Sequence, residues 1–147
     1  MKKIIFCIGN PEGGDDAIGP YIAQHLKPSN KLLVINAETT PENYTSIIRK
    51  NQPTQVIIID AIDMSLPPGE IRIVPEHMIG VMHISTHSTP LSVLINYIKT
   101  IVKDVKLIGV QPKIFQGSIT KEVKKSGDFL ISLLQMQDIS RIKELSE

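Results

Sequence analysis

The sequence predicts an α/β fold, a three-layer sandwich in which helices flank a mostly parallel twisted sheet. Short runs rich in Ile, Val and Leu have the composition of strands that are buried on both faces. They alternate with stretches whose apolar residues recur at helical spacing, which is typical of right-handed β-α-β crossovers. A length of 147 residues is usual for one domain, so we expect a single α/β domain over residues 1–147.

Four apolar runs are the predicted parallel strands. They are Lys3 to Ile8, Leu32 to Asn36, Val56 to Asp60, and Val105 to Val110. A fifth segment, Glu70 to Val74, alternates charged and apolar residues after the turn residues Pro67-Pro68-Gly69. This alternation predicts a strand with one wet face, at the edge of the sheet.

Four helical stretches lie between or after these strands. They are Ala17 to Leu26, Pro41 to about Lys50, Leu91 to Val102, and about Thr120 to Leu134. Asp15 or Asp16 is available to cap the first of them. Thr40 and Thr89 each stand before a proline, which is typical of the start of a helix.

Composition excludes several classes of function. The balance of 16 basic and 15 acidic residues, a net charge of +1, lacks the basic surface of a nucleic-acid-binding protein. No run approaches the roughly 20 apolar residues that cross a bilayer, so we expect no membrane insertion. The single Cys7 rules out an internal disulfide, fits a reducing compartment and is expected to be a small core residue. We therefore expect a cytoplasmic protein that is monomeric when free.

Three side chains of chemical interest follow predicted strands or precede predicted helices. Asp16 comes after the Gly-rich loop that follows the first strand, Asp60 ends the third strand, and His87 precedes the third helix. In an open α/β sheet, ligands gather at the carboxyl ends of the strands. Two carboxylates and one imidazole there can form a metal site with open positions, which we expect to face an exposed cleft.

Each of these residues also has a purely structural interpretation. An Asp before a helix is often only a cap, and of the adjacent pair we favour Asp15 as the structural residue and Asp16 as the functional one. Asp63 fits a turn former. His87 alone fits a loop hydrogen bond, and His83 fits packing as well as function. His25 and His77 fit ordinary surface positions.

Two other kinds of site fit the sequence poorly. Gly9, Gly13 and Gly14 do not have the spacing of a dinucleotide-binding loop, and the acids around them would repel a phosphate. Cys7 lies inside a strand, and no Ser stands in a nucleophile-elbow sequence. A site made of carboxylates and a metal ion is the economical explanation that is left.

The motifs of the chain, taken together, resemble those of the hydrogenase maturation proteases. The resemblance is to the branch that processes the large subunit of the hydrogenase 3, formate-hydrogenlyase type, and it runs from the N-terminus to about Pro112. The motifs are Gly9-Asn10, Gly14-Asp15-Asp16, Gly19-Pro20, Asp60-Ala61-Ile62-Asp63-Met64, Pro68-Gly69-Glu70-Ile71-Arg72, Thr86-His87 and Gly109-Val110-Gln111-Pro112. Some relatives have Glu at the position of Asp16 and Gly at that of Ala17.

The resemblance implies an endopeptidase that removes a C-terminal extension from the nickel-loaded precursor of a [NiFe]-hydrogenase large subunit. It implies that Asp16, Asp60 and His87 engage the nickel that the substrate carries and are the catalytic set. Two other classes stay open, a non-catalytic nickel-binding chaperone and another α/β hydrolase such as a nucleoside-processing enzyme. A chaperone more often has His-rich or Cys-rich tracts, and a nucleoside enzyme has clustered phosphate-binding arginines.

Overall fold

A five-stranded sheet lies at the centre of the computed structural model, which describes residues 2–80 and 90–146. Its strands are β1 (Lys3–Ile8), β2 (Leu32–Glu38), β3 (Gln55–Ala61), β4 (Ile71–Val74) and β5 (Asp104–Val110). They are arranged in the order β2-β1-β3-β5-β4. All neighbours are parallel except β4, which pairs antiparallel with β5 at one edge. The predicted fold class is confirmed, and so is the edge strand.

Helices cover both faces of this sheet. They are α1 (Ile18–His25), α2 (Thr45–Asn51), α3 (Glu76–Ile79), α4 (Leu91–Lys99) and α5 (Lys121–Gln135), with 3-10 helices at Gly14–Ala17 and Pro41–Tyr44. In the part of the chain that the structure describes, no helix is long and apolar enough to cross a membrane.

The predicted caps are wrong in their details. Neither Asp15 nor Asp16 caps α1, because both belong to the 3-10 turn before it and their carboxylates are buried. Thr40 precedes Pro41 as expected, but its side chain makes no capping bond and the proline opens a 3-10 turn before α2. Thr89 lies outside the described residues.

The core consists of two apolar layers, one on each side of the sheet. One layer packs α2, α3 and α4 against the sheet, and the other packs α1 and α5 against the opposite face. The central strands contribute to both layers because their side chains alternate between faces. Ile58 of β3 belongs to the first layer and its neighbours Ile57 and Ile59 to the second, and all three are almost fully buried.

The strand order reverses direction between β1 and β3. The chain leaves β1 towards β2 on one side, and it later crosses back to β3 on the other side. The connections α1 and α2 accordingly pack on opposite faces of the sheet. In open α/β sheets, ligands bind where two such connections diverge, at the carboxyl ends of the two strands.

Gly19 allows the start of α1 to lie against the end of β1. A Cβ atom at this position would overlap the backbone carbonyl of Ile8. The contact fixes the angle at which α1 leaves the sheet and therefore the path of the loop between them.

We expect Gly19→Ala to lower the free energy of unfolding by about 3 kcal/mol, because the added methyl group meets backbone that has no room to shift. Chemical denaturation measures the change. Gly80→Ala is the matched control, since a Cβ at Gly80 meets no atom of residues 2–80 and 90–146 within 4 Å. Equal stability of the two variants would contradict this account of Gly19.

Candidate active site

Asp16 lies at the carboxyl end of β1, in the 3-10 helix Gly14–Ala17. Its side chain is buried, with 1% of the residue exposed, and its Oδ2 accepts a hydrogen bond of 2.8 Å from the backbone N–H of Asn10. The loop folds back tightly because Gly9 has a φ of 150° and no side chain where the Asp16 carbonyl approaches. The sequence before Asp16 therefore fixes its carboxylate over the end of the strand.

Asp60 is the last residue but one of β3 and is fully buried. It pairs in register with Gly109 of β5 and alternates onto the same face as Ile58. The 3-10 helix that carries Asp16 packs beside β3. Asp16 and Asp60 thus lie at the carboxyl rim of adjacent strands, at the point where the strand order reverses.

The two carboxylates differ from expectation in one respect. We expected an exposed cleft, whereas Asp16 and Asp60 are both buried. The reasons are the tight turn that folds Asp16 down onto the sheet and the extension of β3 to Ala61, which leaves Asp60 one residue inside the strand rather than at its end. In such surroundings the electric field of a carboxylate is screened less than in water.

His87, the third predicted residue, lies outside the described residues, and so does His83. Within residues 2–80 and 90–146, no three His, Cys, Asp or Glu side chains gather in the manner of a metal site. The predicted set of Asp16, Asp60 and His87 therefore stays a prediction. His25 and His77 are exposed, as expected, on α1 and α3.

Asp15 has a structural role, which is the role that we favoured for it. Its buried carboxylate accepts hydrogen bonds from the backbone N–H groups of Lys113 (2.8 Å), Ile114 (3.2 Å) and Thr120 (2.7 Å), and also from the Thr120 hydroxyl. The Asp15 N–H in turn donates to the Ile114 carbonyl at 2.9 Å. Asp15 therefore fastens the segment between β5 and α5 to the loop that carries Asp16.

Comparison with known proteins identifies the family. The sequence profile of the hydrogenase maturation proteases matches residues 17–137, a stretch that includes Asp60 and position 87 and begins just after Asp16. The chain belongs to the hydrogenase maturation protease family.

Individual members of this family are similar in sequence and in structure. The hydrogenase 3 maturation protease of Escherichia coli K12 is 35% identical, over 92% of this chain and 90% of that protein. A crystal structure of the hydrogenase 3 maturation protease superimposes with a TM-score of 0.90 at 31% identity, covering 100% of this chain and 98% of the other. A [NiFe] hydrogenase maturation protease of Thermococcus kodakarensis KOD1 gives a TM-score of 0.81 at 30% identity, over 92% and 90% of the two chains.

The likeness extends further than the motifs indicated. We expected it to fade beyond Pro112, but the family profile continues to residue 137 and so includes all of α5. The resemblance was judged on short motifs, whereas the family profile compares every position of the stretch that it matches.

Cys7 is a core residue of this hydrogenase maturation protease. The thiol is fully buried within β1, and its burial raises the pKa well above the ordinary value. A thiol that stays protonated is a poor nucleophile. This agrees with the prediction that Cys7 is a small core residue.

We expect Asp15→Asn to lower the free energy of unfolding by about 3 kcal/mol, because an amide N–H₂ would face backbone N–H groups that now bind a carboxylate. Chemical denaturation measures the loss, and hydrogen exchange locates it in the amides of residues 113–120. Glu12→Gln, on the exposed part of the same loop, is the control and should change neither quantity. Unaltered exchange in residues 113–120 would contradict the role assigned to Asp15.

Proposed function

We propose that this protein is an aspartate-dependent endopeptidase that removes the C-terminal extension from the nickel-loaded precursor of a [NiFe]-hydrogenase large subunit. Its membership of the hydrogenase maturation protease family supports the class of reaction. The observation that carries the site assignment is the placement of two buried carboxylates, Asp16 and Asp60, where the strand order reverses between β1 and β3.

In this proposal nickel is bound to the substrate, and the protease recognises the substrate by contacting this metal ion. Carboxylate oxygens and an imidazole nitrogen from Asp16, Asp60 and His87 would complete the coordination of an ion that the precursor already holds. A precursor without nickel would offer these side chains no cation. Cleavage would therefore wait until the metal has been inserted.

The chemistry available to the chain is that of carboxylates and an imidazole. A cation next to the scissile bond polarises its carbonyl group or lowers the pKa of an attacking water. A carboxylate held close to that water can accept its proton and return it to the leaving amine. Burial favours both effects, since charges interact more strongly where water is excluded.

The other two classes of function have less support. Another α/β hydrolase such as a nucleoside-processing enzyme would need clustered phosphate-binding arginines, whereas Arg49, Arg72 and Arg141 are dispersed along the sequence. A nickel chaperone would share the three ligands and differ only in lacking hydrolysis. The distinction is therefore experimental, and it rests on cleavage of the precursor and on the affinity of the protein alone for nickel.

Removal of any proposed site residue should abolish processing. We expect Asp16→Asn, Asp60→Asn and His87→Ala each to reduce cleavage of a nickel-loaded precursor by about 100-fold or more, because each loses a ligand or a proton acceptor. The shift of the precursor band on a denaturing gel measures cleavage, and circular dichroism checks that the variants are folded.

Two matched variants serve as controls for these three. Asp104→Asn alters an aspartate at the opposite end of β5, where its carboxylate accepts a hydrogen bond from Gln55. His77→Ala removes an exposed histidine from α3. Both should cleave normally. If all three site variants also cleaved normally, the proposed site would be ruled out.

Cleavage should also depend on the metal of the substrate. We expect rapid processing of the nickel-loaded precursor, none of the same precursor prepared without nickel, and weak binding of nickel by the protease alone because its ligand set is incomplete. The cleavage assay is paired with metal analysis of the protease after dialysis against a chelator. Tight stoichiometric nickel without cleavage of either precursor would favour the chaperone.

A further inference from the structure

The segment that follows Asp60 is bonded to the end of β5 through one side chain, that of Gln111. Gln111 is 6% exposed, and its Oε1 accepts hydrogen bonds from the backbone N–H groups of Met64 (2.6 Å) and Leu66 (3.2 Å). The two N–H groups converge on one oxygen because Ser65, between them, has a φ of 57°. The Gln111 side-chain oxygen thus accepts hydrogen bonds from backbone N–H groups of the segment after β3, as a backbone carbonyl of a neighbouring strand would.

The nitrogen of the same amide is also bonded. Nε2 donates to Oδ1 of Asp63 at 3.2 Å and to the carbonyl of Pro112 at 3.3 Å, and Asp63 Oδ1 further accepts the N–H of Ser65 at 3.1 Å. The amide has only one acceptable orientation, since a flipped amide would place N–H₂ against two N–H donors. Gln111 therefore fixes both the backbone of this turn and the carboxylate of Asp63.

Gly109 contributes to the same arrangement. It lies opposite Asp60 in the β3–β5 register, and the Ile62 N–H continues the pairing by donating to the Val110 carbonyl at 3.0 Å. A Cβ on Gly109 would come within 3.1 Å of the side chains of Ile62 and Met64. The motif Gly109-Val110-Gln111 therefore leaves space for the turn after Asp60 and bonds it in place.

We propose that Gln111 is a positioning residue for proteolysis, which sets the geometry of the turn that follows Asp60 and β3 and that includes Asp63. The proposal rests on the proposed function. A general base or metal ligand must be held within a fraction of an ångström, and a displacement of about 1 Å can cost about 100-fold in rate. In this proposal Gln111 acts through Asp63 and through the backbone that follows Asp60, rather than on the substrate directly.

Two substitutions of Gln111 distinguish an effect on the geometry of the turn from an effect on the stability of the protein. Gln111→Met keeps the volume and removes every hydrogen bond of the amide, whereas Gln111→Glu keeps the acceptor for Met64 and Leu66 and loses the donor to Asp63. We expect both to lower kcat for the nickel-loaded precursor by about 10-fold or more at neutral pH, with KM within about 2-fold of the parent. Should Gln111→Met fail to fold, Gln111→Glu still gives the measurement.

The dependence of activity on pH in Gln111→Glu distinguishes a positioning role from a purely structural one, because a purely structural role would leave this dependence unchanged. At neutral pH the introduced carboxylate faces Asp63, while the nearby Glu70 is held by Arg72 at 3.0 Å. As the pH falls, a proton shared between the introduced carboxylate and that of Asp63 supplies an O–H donor in place of the lost N–H. The activity relative to the parent at the same pH should therefore rise for Gln111→Glu and stay constant for Gln111→Met.

A second Gln–Asp pair at the other end of the same two strands is the matched control. Gln55 of β3 donates to Asp104 of β5 at 2.9 Å, far from the carboxyl rim. Gln55→Met should leave kcat, KM and the pH profile unchanged. Full activity of Gln111→Met, or equal loss in Gln55→Met, would overturn the positioning role while Asp60→Asn still reports on the proposed site. Failure of the parent protein to cleave would instead reject the proposed function.

Discussion

The reversal of strand order between β1 and β3 is the constraint on which the rest of the structure depends. Because the connections that carry α1 and α2 leave towards opposite faces, they diverge at the carboxyl ends of β1 and β3, where the 3-10 helix Gly14–Ala17 packs beside β3. Polar groups can lie there without interrupting the packing of either apolar layer. The chain places Asp16 at the end of one strand and Asp60 at the end of the other, so the topology itself brings together carboxylates that are 44 positions apart.

Burying acids at this rim costs solvation free energy, which hydrogen bonds must offset. The Gly-rich loop supplies some of them, since its tight path directs the Asn10 N–H at Asp16. For Asp15 the hydrogen bonds that offset this cost come from a different part of the chain, residues 113–120. The hydrogen bonds described for the two adjacent aspartates thus come from different parts of the chain, those of Asp15 from residues 113–120 and that of Asp16 from Asn10.

Much of this could be predicted from the sequence, and the exceptions have a physical cause. Runs such as Val56–Ile59 are apolar and β-branched, so local composition alone indicates a buried strand, and the alternating segment from Glu70 indicates the edge. The partners of Asp15 left no sequence signal, because they are backbone N–H groups 98 to 105 residues away. The 3-10 turn before α1 was missed for a similar reason: the acids before it looked like caps, and only the tertiary fold shows that they are buried.

The segment that leaves β5 links the two halves of the candidate site. Gln111 bonds the turn that follows Asp60, and a few residues later Lys113, Ile114 and Thr120 donate to the carboxylate of Asp15, next to Asp16. The chain segments next to Asp16 and next to Asp60 are thus both hydrogen-bonded to residues 111–120. Because packed segments shift as units rather than deform continuously, a displacement of this segment would move the surroundings of both acids together. A pair of carboxylates far apart in sequence can in this way keep one mutual geometry, which coordination of a single cation requires.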